Sequence, residues 1–225
     1  MRPLSPLEAR VLGVLIEKQA TVPDTYPLSL NAIVAGCNQK TARMPVIEAS
    51  DAEVLTAVDG LKALSLVFEG SGSRVVKFEH NTARVLHLPS QAVALLAVLM
   101  LRGPQTAAEL RLNSERLHRF ADISSVEGFL DELAAKTPAM VIKLPRAPGE
   151  REARWAQLLC GEVAPPAART ATPSVGDDAV SAGEIAALRA EQTRLADEVS
   201  ALKALVHRLA RELGVTVTAE DGDAL

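Results

Sequence analysis

The sequence predicts a mainly α chain with small β-hairpins, an α+β fold built as two copies of one unit and then a single helix. Three observations predict it. The order helix, helix, polar loop, helix, hairpin can be read twice between the N-terminus and residue 163. A stretch rich in Pro, Ala, Thr and Ser, residues 164–182, follows as a linker. Beyond it, apolar residues recur alternately three and four apart, which is the pattern of a coiled coil. The repeated order is that of a winged helix. The division is therefore two tandem winged-helix domains over 1–86 and 87–163, the linker over 164–182, a coiled-coil helix over 183–214 and an acidic tail over 215–225.

In the first unit, Ser5-Pro6-Leu7-Glu8 combines a capping box with proline at the first helical position, and apolar spacing carries that helix to about Gln19. A second, short helix has Pro27 and Ser29 as start signals, with Leu30, Ile33 and Val34 on one side. Asn38 to Pro45 is polar and holds no regular structure, since Pro45 discourages a helix from running through. Ser50-Asp51-Ala52-Glu53 is another capping box. It opens a third helix to about Ser65, with Val54, Leu55, Val58, Leu61 and Leu64 against a core. Residues 66–69 and 74–78 flank Gly70-Ser71-Gly72-Ser73 as a hairpin.

The second unit repeats this. An apolar helix from Ser90 to Arg102 is ended by Gly103-Pro104, and Thr106 with Glu109 caps the next. A polar segment, Asn113 to Asp122, takes the place of the first loop. Ser124-Ser125-Val126-Glu127 is the expected cap of the third helix, with Val126, Phe129, Leu130 and Leu133 inside. Residues 140–144 and 151–158 flank a Pro148-Gly149 turn. In the final helix, Ile185, Leu188, Leu195, Val199, Leu202, Val206 and Leu209 form a heptad seam, interrupted by Gln192. A homodimer is the expected use of that seam, with docking on its own chain the alternative.

Composition narrows the function. The net charge is −4, and residues 1–88 and 89–163 each hold nine Lys+Arg against nine Asp+Glu. Neither unit has the basic excess expected of a protein that grips phosphate backbones. The longest uninterrupted apolar run, Ala92–Leu101, is too short to span a bilayer, and the N-terminus has no apolar signal region. Cys37 and Cys160 lack ligand spacing and read as reduced thiols of a cytoplasmic protein. The four histidines are scattered, no Gly-rich phosphate loop opens a helix, and no metal or cofactor is expected; an enzyme is not the reading.

The stretch Tyr26-Pro-Leu-Ser-Leu-Asn-Ala-Ile-Val-Ala-Gly-Cys-Asn-Gln-Lys, Arg43 with Pro45, and Ser114-Glu-Arg-Leu-His-Arg-Phe-Ala-Asp122 resemble the YceH family of bacterial proteins. The resemblance covers roughly residues 3–160 and implies two winged-helix domains in a cytoplasmic bacterial protein, with no established activity.

Two functions follow from these residues. The first is a dimeric winged-helix DNA-binding protein, a transcriptional regulator. Asn38, Gln39, Lys40 and Arg43 of the loop, Lys62 of the third helix, Arg74 and Lys77 of the first wing, and Arg116, Arg119 and Arg151 of the second unit would then contact duplex DNA. The second is a non-enzymatic protein–protein interaction module built on the same tandem winged helices and not binding DNA; for the loop itself the plain alternative is that its amides hydrogen-bond its own backbone. Carboxylates on the third helices (Asp51, Glu53 and Asp59; Glu127, Asp131 and Glu132) argue against phosphate contact there.

Overall fold

A computed structural model describes residues 1–70, 75–146 and 152–162. Arg74, Arg151, the linker, the heptad seam and the acidic tail lie outside the described residues. The fold is α+β. The first half holds α1 (Pro6–Thr21), a 3-10 turn (Pro23–Thr25), β1 (Leu28–Ser29), α2 (Leu30–Cys37), α3 (Asp51–Ala63), β2 (Val67–Gly70), β3 (Lys77–His80) and α4 (Thr82–Leu86). The second holds α5 (Ser90–Arg102), α6 (Ala107–Asn113), α7 (Ile123–Ala135), β4 (Val141–Lys143) and β5 (Trp155–Gln157). Among the described residues no helix is long and apolar enough to cross a membrane.

Helix starts follow the capping chemistry. Ser5 and Glu8, Ser50 and Glu53, and Thr106 and Glu109 each close a capping box, satisfying amides that the first turn leaves unpaired. Ser29 alone caps α2, accepting from Ala32, so Pro27 stands before the helix rather than in it. The cap of α7 is Asp122, whose carboxylate accepts from the Ser125 amide at 2.7 Å. The helix thus opens before the expected Ser124, because an aspartate three residues ahead of a serine makes the same reciprocal box.

The sheets show how the halves correspond. β3 pairs antiparallel with both β1 and β2, giving the order β1-β3-β2 with Leu28 opposite Phe78. In the second half β4 pairs with β5, and a lone bridge joins Gln105 to Trp155, whose amides and carbonyls exchange hydrogen bonds at 3.0 and 2.7 Å. That bridge takes a place like that of β1 in the first half: Ser29, the last residue of β1, caps α2, and Thr106, directly after the bridge residue Gln105, caps α6. Val75 and Val76 are exposed and precede β3, so the first hairpin's return strand starts later than expected.

Met1–Ala167 form one compact unit. α1 is buried along most of its length (Val11, Leu12, Val14 and Leu15 have no exposed surface) and packs against α2, α3 and α5. α5 is buried from Ala92 to Leu101. Two apolar helices side by side explain why the core is aliphatic and runs through both halves. Close approach fixes two residues: a Cβ on Gly36 would come within 2.6 Å of Val14 Cγ1, and one on Gly13 within 2.9 Å of Leu101 Cγ. Leu64 and Phe129 sit partly buried against the core, whereas Leu55, expected to face inward, is 41% exposed.

Candidate functional site

The loop after α2 is built from its own side chains. Asn38 spans it: the Nδ2 amide donates to the Ala49 carbonyl and Oδ1 accepts from the Ala49 amide, both at 2.8 Å. Gln39 Nε2 donates to the Thr41 carbonyl at 3.0 Å and hydroxyl at 3.1 Å, while its carbonyl oxygen accepts from Lys18 Nζ at 3.5 Å. Arg43 is buried. Its Nε donates to the Gly36 carbonyl at 2.9 Å, and Nη1 and Nη2 take the two oxygens of Glu17 at 3.1 and 2.6 Å. The Met44 amide donates to the Leu101 carbonyl at 2.8 Å, fastening the loop to α5.

These contacts correct part of the sequence reading. Arg43 has no exposed side-chain surface and both ends of its guanidinium are committed, so no phosphate can reach it. Asn38 and Gln39 spend their amides on the loop backbone, since an irregular segment must find partners for its polar groups. Lys40 alone of the four remains exposed.

The face of α2, α3 and the first hairpin also differs from a phosphate-binding surface. Lys62 is tied to Glu69 at 2.6 Å and lies 3.6 Å from Asp59; the hydrogen bond to Glu69 raises its pKa. Lys77 is half-buried. Around them Leu55, Val75 and Val76 are exposed at 41, 58 and 48%. Leu30, Leu55, Val75, Val76 and Phe78 line a groove of about 540 Å3 with the Lys62–Glu69 pair at its edge.

The corresponding face of the second half is mixed in charge. Glu127, Lys143, Arg146, Glu152 and Trp155 line a groove also of about 540 Å3, with Lys143 Nζ 5.3 Å above the Trp155 ring centre. Arg154 bonds Glu109 at 2.9 Å. Arg116 and Arg119 are exposed on the loop after α6, apart from this groove.

Burial sets the unusual titrations. The Cys37 thiol, fully buried, is pushed up to about 11. Burial drives the Tyr26 phenol up to about 12, while its oxygen accepts from the His80 amide at 2.7 Å. His80 is pushed down to about 4 by burial; its ring lies 2.7 Å from the Gln19 side-chain oxygen. Among the described residues no cluster of His, Cys, Asp or Glu could hold a metal ion.

Two residues that the sequence reading passed over matter here. Glu17 is the partner of Arg43, and Arg10, on α1, donates to the Cys37 carbonyl at 3.2 Å and the Pro45 carbonyl at 2.7 Å. A basic residue inside the apolar run Leu7–Ile16 was the available signal, but a helical repeat cannot say which loop lands on that residue.

The family follows from comparison with known proteins. The chain belongs to the family described as "Protein of unknown function, DUF480", whose model matches residues 4–150, in keeping with the YceH-type resemblance. It is 68% identical over 219 residues to a UPF0502 protein of Burkholderia pseudomallei (strain 668), covering 96% of this chain and 92% of that one. A UPF0502 protein of Burkholderia orbicola (strain MC0-3) is 66% identical over 224 residues, 100% of this chain and 94% of the relative.

Proposed function

We propose that this protein is a non-enzymatic protein–protein interaction module on tandem winged helices, engaging a protein partner through the face of α2, α3 and the first hairpin. One observation carries the reading: where phosphate contacts were expected, the face offers exposed Leu55, Val75 and Val76, and its lysine Lys62 is neutralised by Glu69. Apolar side chains gain by leaving water against a protein and gain nothing on a phosphate backbone. The partner accordingly presents apolar side chains to this groove. The homodimer expected from the heptad seam belongs to the same proposal, since two chains would display two such faces.

DNA binding is the rival reading. It keeps Lys40, Lys77, Arg116 and Arg119, which are not fully buried. The test uses the full chain. A photo-crosslinking residue at Leu55 should capture a partner; the partner, purified, should bind wild type and lose at least about tenfold on Leu55→Asp, the loss of one buried apolar anchor and burial of a charge. Lys40→Ala should leave that binding intact. The proposal fails if the purified partner binds Leu55→Asp as well as wild type. It also fails if wild type binds duplex DNA with a salt slope that Lys40→Ala flattens by about one unit.

A further inference from the structure

Two buried guanidiniums, Arg10 at 4% exposure and Arg43 at 6%, lie under the loop, and the Glu17 carboxylate is spent on Arg43. Arg10 has only the carbonyls of Cys37 and Pro45, which accept hydrogen bonds but bring no counter-charge. Its Nε–H has no acceptor among the described residues. A charge held this way is costly, and the cost would fall if an anion joined it. Burial and the nearby Arg43 accordingly lower the Arg10 pKa.

Arg10 also forms part of the wall of a groove of about 480 Å3 between α1, the loop and α5. The wall is otherwise largely apolar: Leu7, Met44, Ile47, Leu99 and Met100. This volume falls in the range of small-molecule sites, which pair an apolar lining with a few placed polar groups. Glu48 and Glu53 stand on the same groove. Both are exposed, so water screens them, and Glu53 is held by the Ser50 amide at 2.8 Å; Arg10 has no such screening.

We propose that this groove binds a small organic carboxylate with an apolar body, its carboxylate pairing with Arg10 and its body lying on Leu7, Ile47 and Leu99. Nε itself has no exposed surface, so binding shifts the Met44–Ile47 wall, of which Met44 is 67% exposed, and replaces or joins the Pro45 carbonyl. Neither the charge nor the apolar lining suffices alone. The site is separate from the partner face on the first hairpin, and its test does not depend on that reading.

The experiment is titration calorimetry on the full chain with octanoate, octanol, acetate and inorganic phosphate as probes. Octanoate should bind, with octanol, acetate and phosphate each at least about tenfold weaker, the worth of a lost charged hydrogen bond or a lost apolar contact. Arg10→Met should weaken octanoate by at least about tenfold while octanol binding stays unchanged. Ile47→Trp, which fills the groove without touching the guanidinium, should weaken octanoate too, and it carries the test if Arg10→Met fails to fold. The inference is overturned if octanol matches octanoate, if acetate or phosphate does, or if folded Arg10→Met binds octanoate as wild type does. It is equally overturned if no octanoate binding is seen up to about 1 mM.

Discussion

Replacing Arg43 with alanine tests whether the loop is a scaffold or a contact surface. In wild type the guanidinium meets Glu17 through both terminal nitrogens, at 3.1 and 2.6 Å, and also caps the carbonyls of Gly36 and Ala42, each at 2.9 Å. Truncation leaves Glu17, whose side chain is only 15% exposed, with no cation nearer than Lys18 Nζ at 3.8 Å, beside two carbonyls that have lost their donor. Breaking one side of a buried pair typically costs about 3–5 kcal/mol. At about 2–4 °C per kcal/mol for a body of this size, the melting temperature should fall by roughly 6–20 °C. Glu17→Gln should cost less than Arg43→Ala, since the amide still accepts one hydrogen bond although the guanidinium loses its counter-charge. The pair Arg43→Met with Glu17→Leu should be milder than the sum of the two single changes, because neither charge is then left alone. Urea denaturation at pH 7 of wild type, Arg43→Ala, Glu17→Gln, and the Arg43→Met/Glu17→Leu pair with its two single variants measures this. A cost under about 1 kcal/mol for Arg43→Ala, the range of surface ion pairs, would refute the buried-scaffold account.

Three further outcomes are expected. Neutral His80, with the proton on Nε2, donates to Gln19 and accepts the Thr82 amide at Nδ1, at 2.7 and 3.4 Å, so protonating Nδ1 breaks the second contact. Its folded pKa is depressed from 6.5 to about 4; the stability it gives is complete above 6.5 and declines as pH falls towards 4, a slope that His80→Gln should abolish in acid titration of the denaturation midpoint. Cys37, raised from 9.0 to about 11, should resist a thiol reagent at pH 8 in the native protein and react after unfolding, and stability should fall as pH rises from 9 towards 11; rapid native labelling would count against its burial. The heptad pattern of 185–213 predicts that Leu195→Asp with Leu202→Asp yields a monomer by sedimentation, and a persistent dimer would remove the seam from the account.

Local chemistry is where sequence and structure agree. Of the predicted capping boxes, those at Ser5, Ser50 and Thr106 close, because such a box needs only four neighbouring residues. The apolar run 92–101 becomes a buried helix. The unexpected cap at Asp122 uses the same chemistry three residues apart, so it too was present in the sequence and was misplaced by choosing the serine. Leu55 misled in another way: its spacing fits an inward face of α3, but whether that side is covered depends on where the hairpin lies.

Long-range charge matching was out of reach of the sequence. Lys40 and Arg43 are three residues apart in one polar stretch, yet one is exposed and the other buried. What separates them is Glu17, 26 residues away on α1, which only the packing of that helix under the loop brings to 2.6 Å. The same folding brings Arg10 under Pro45, 35 residues on, with no carboxylate to match. The sequence by itself determined most of the described helices and the capping boxes at Ser5, Ser50 and Thr106, since these rest on hydrogen bonds and apolar spacing within a few residues, though the short helix Thr82–Leu86 was not among those expected. Tertiary structure alone decided which cations face water, because burial and counter-charge depend on residues far apart in the chain.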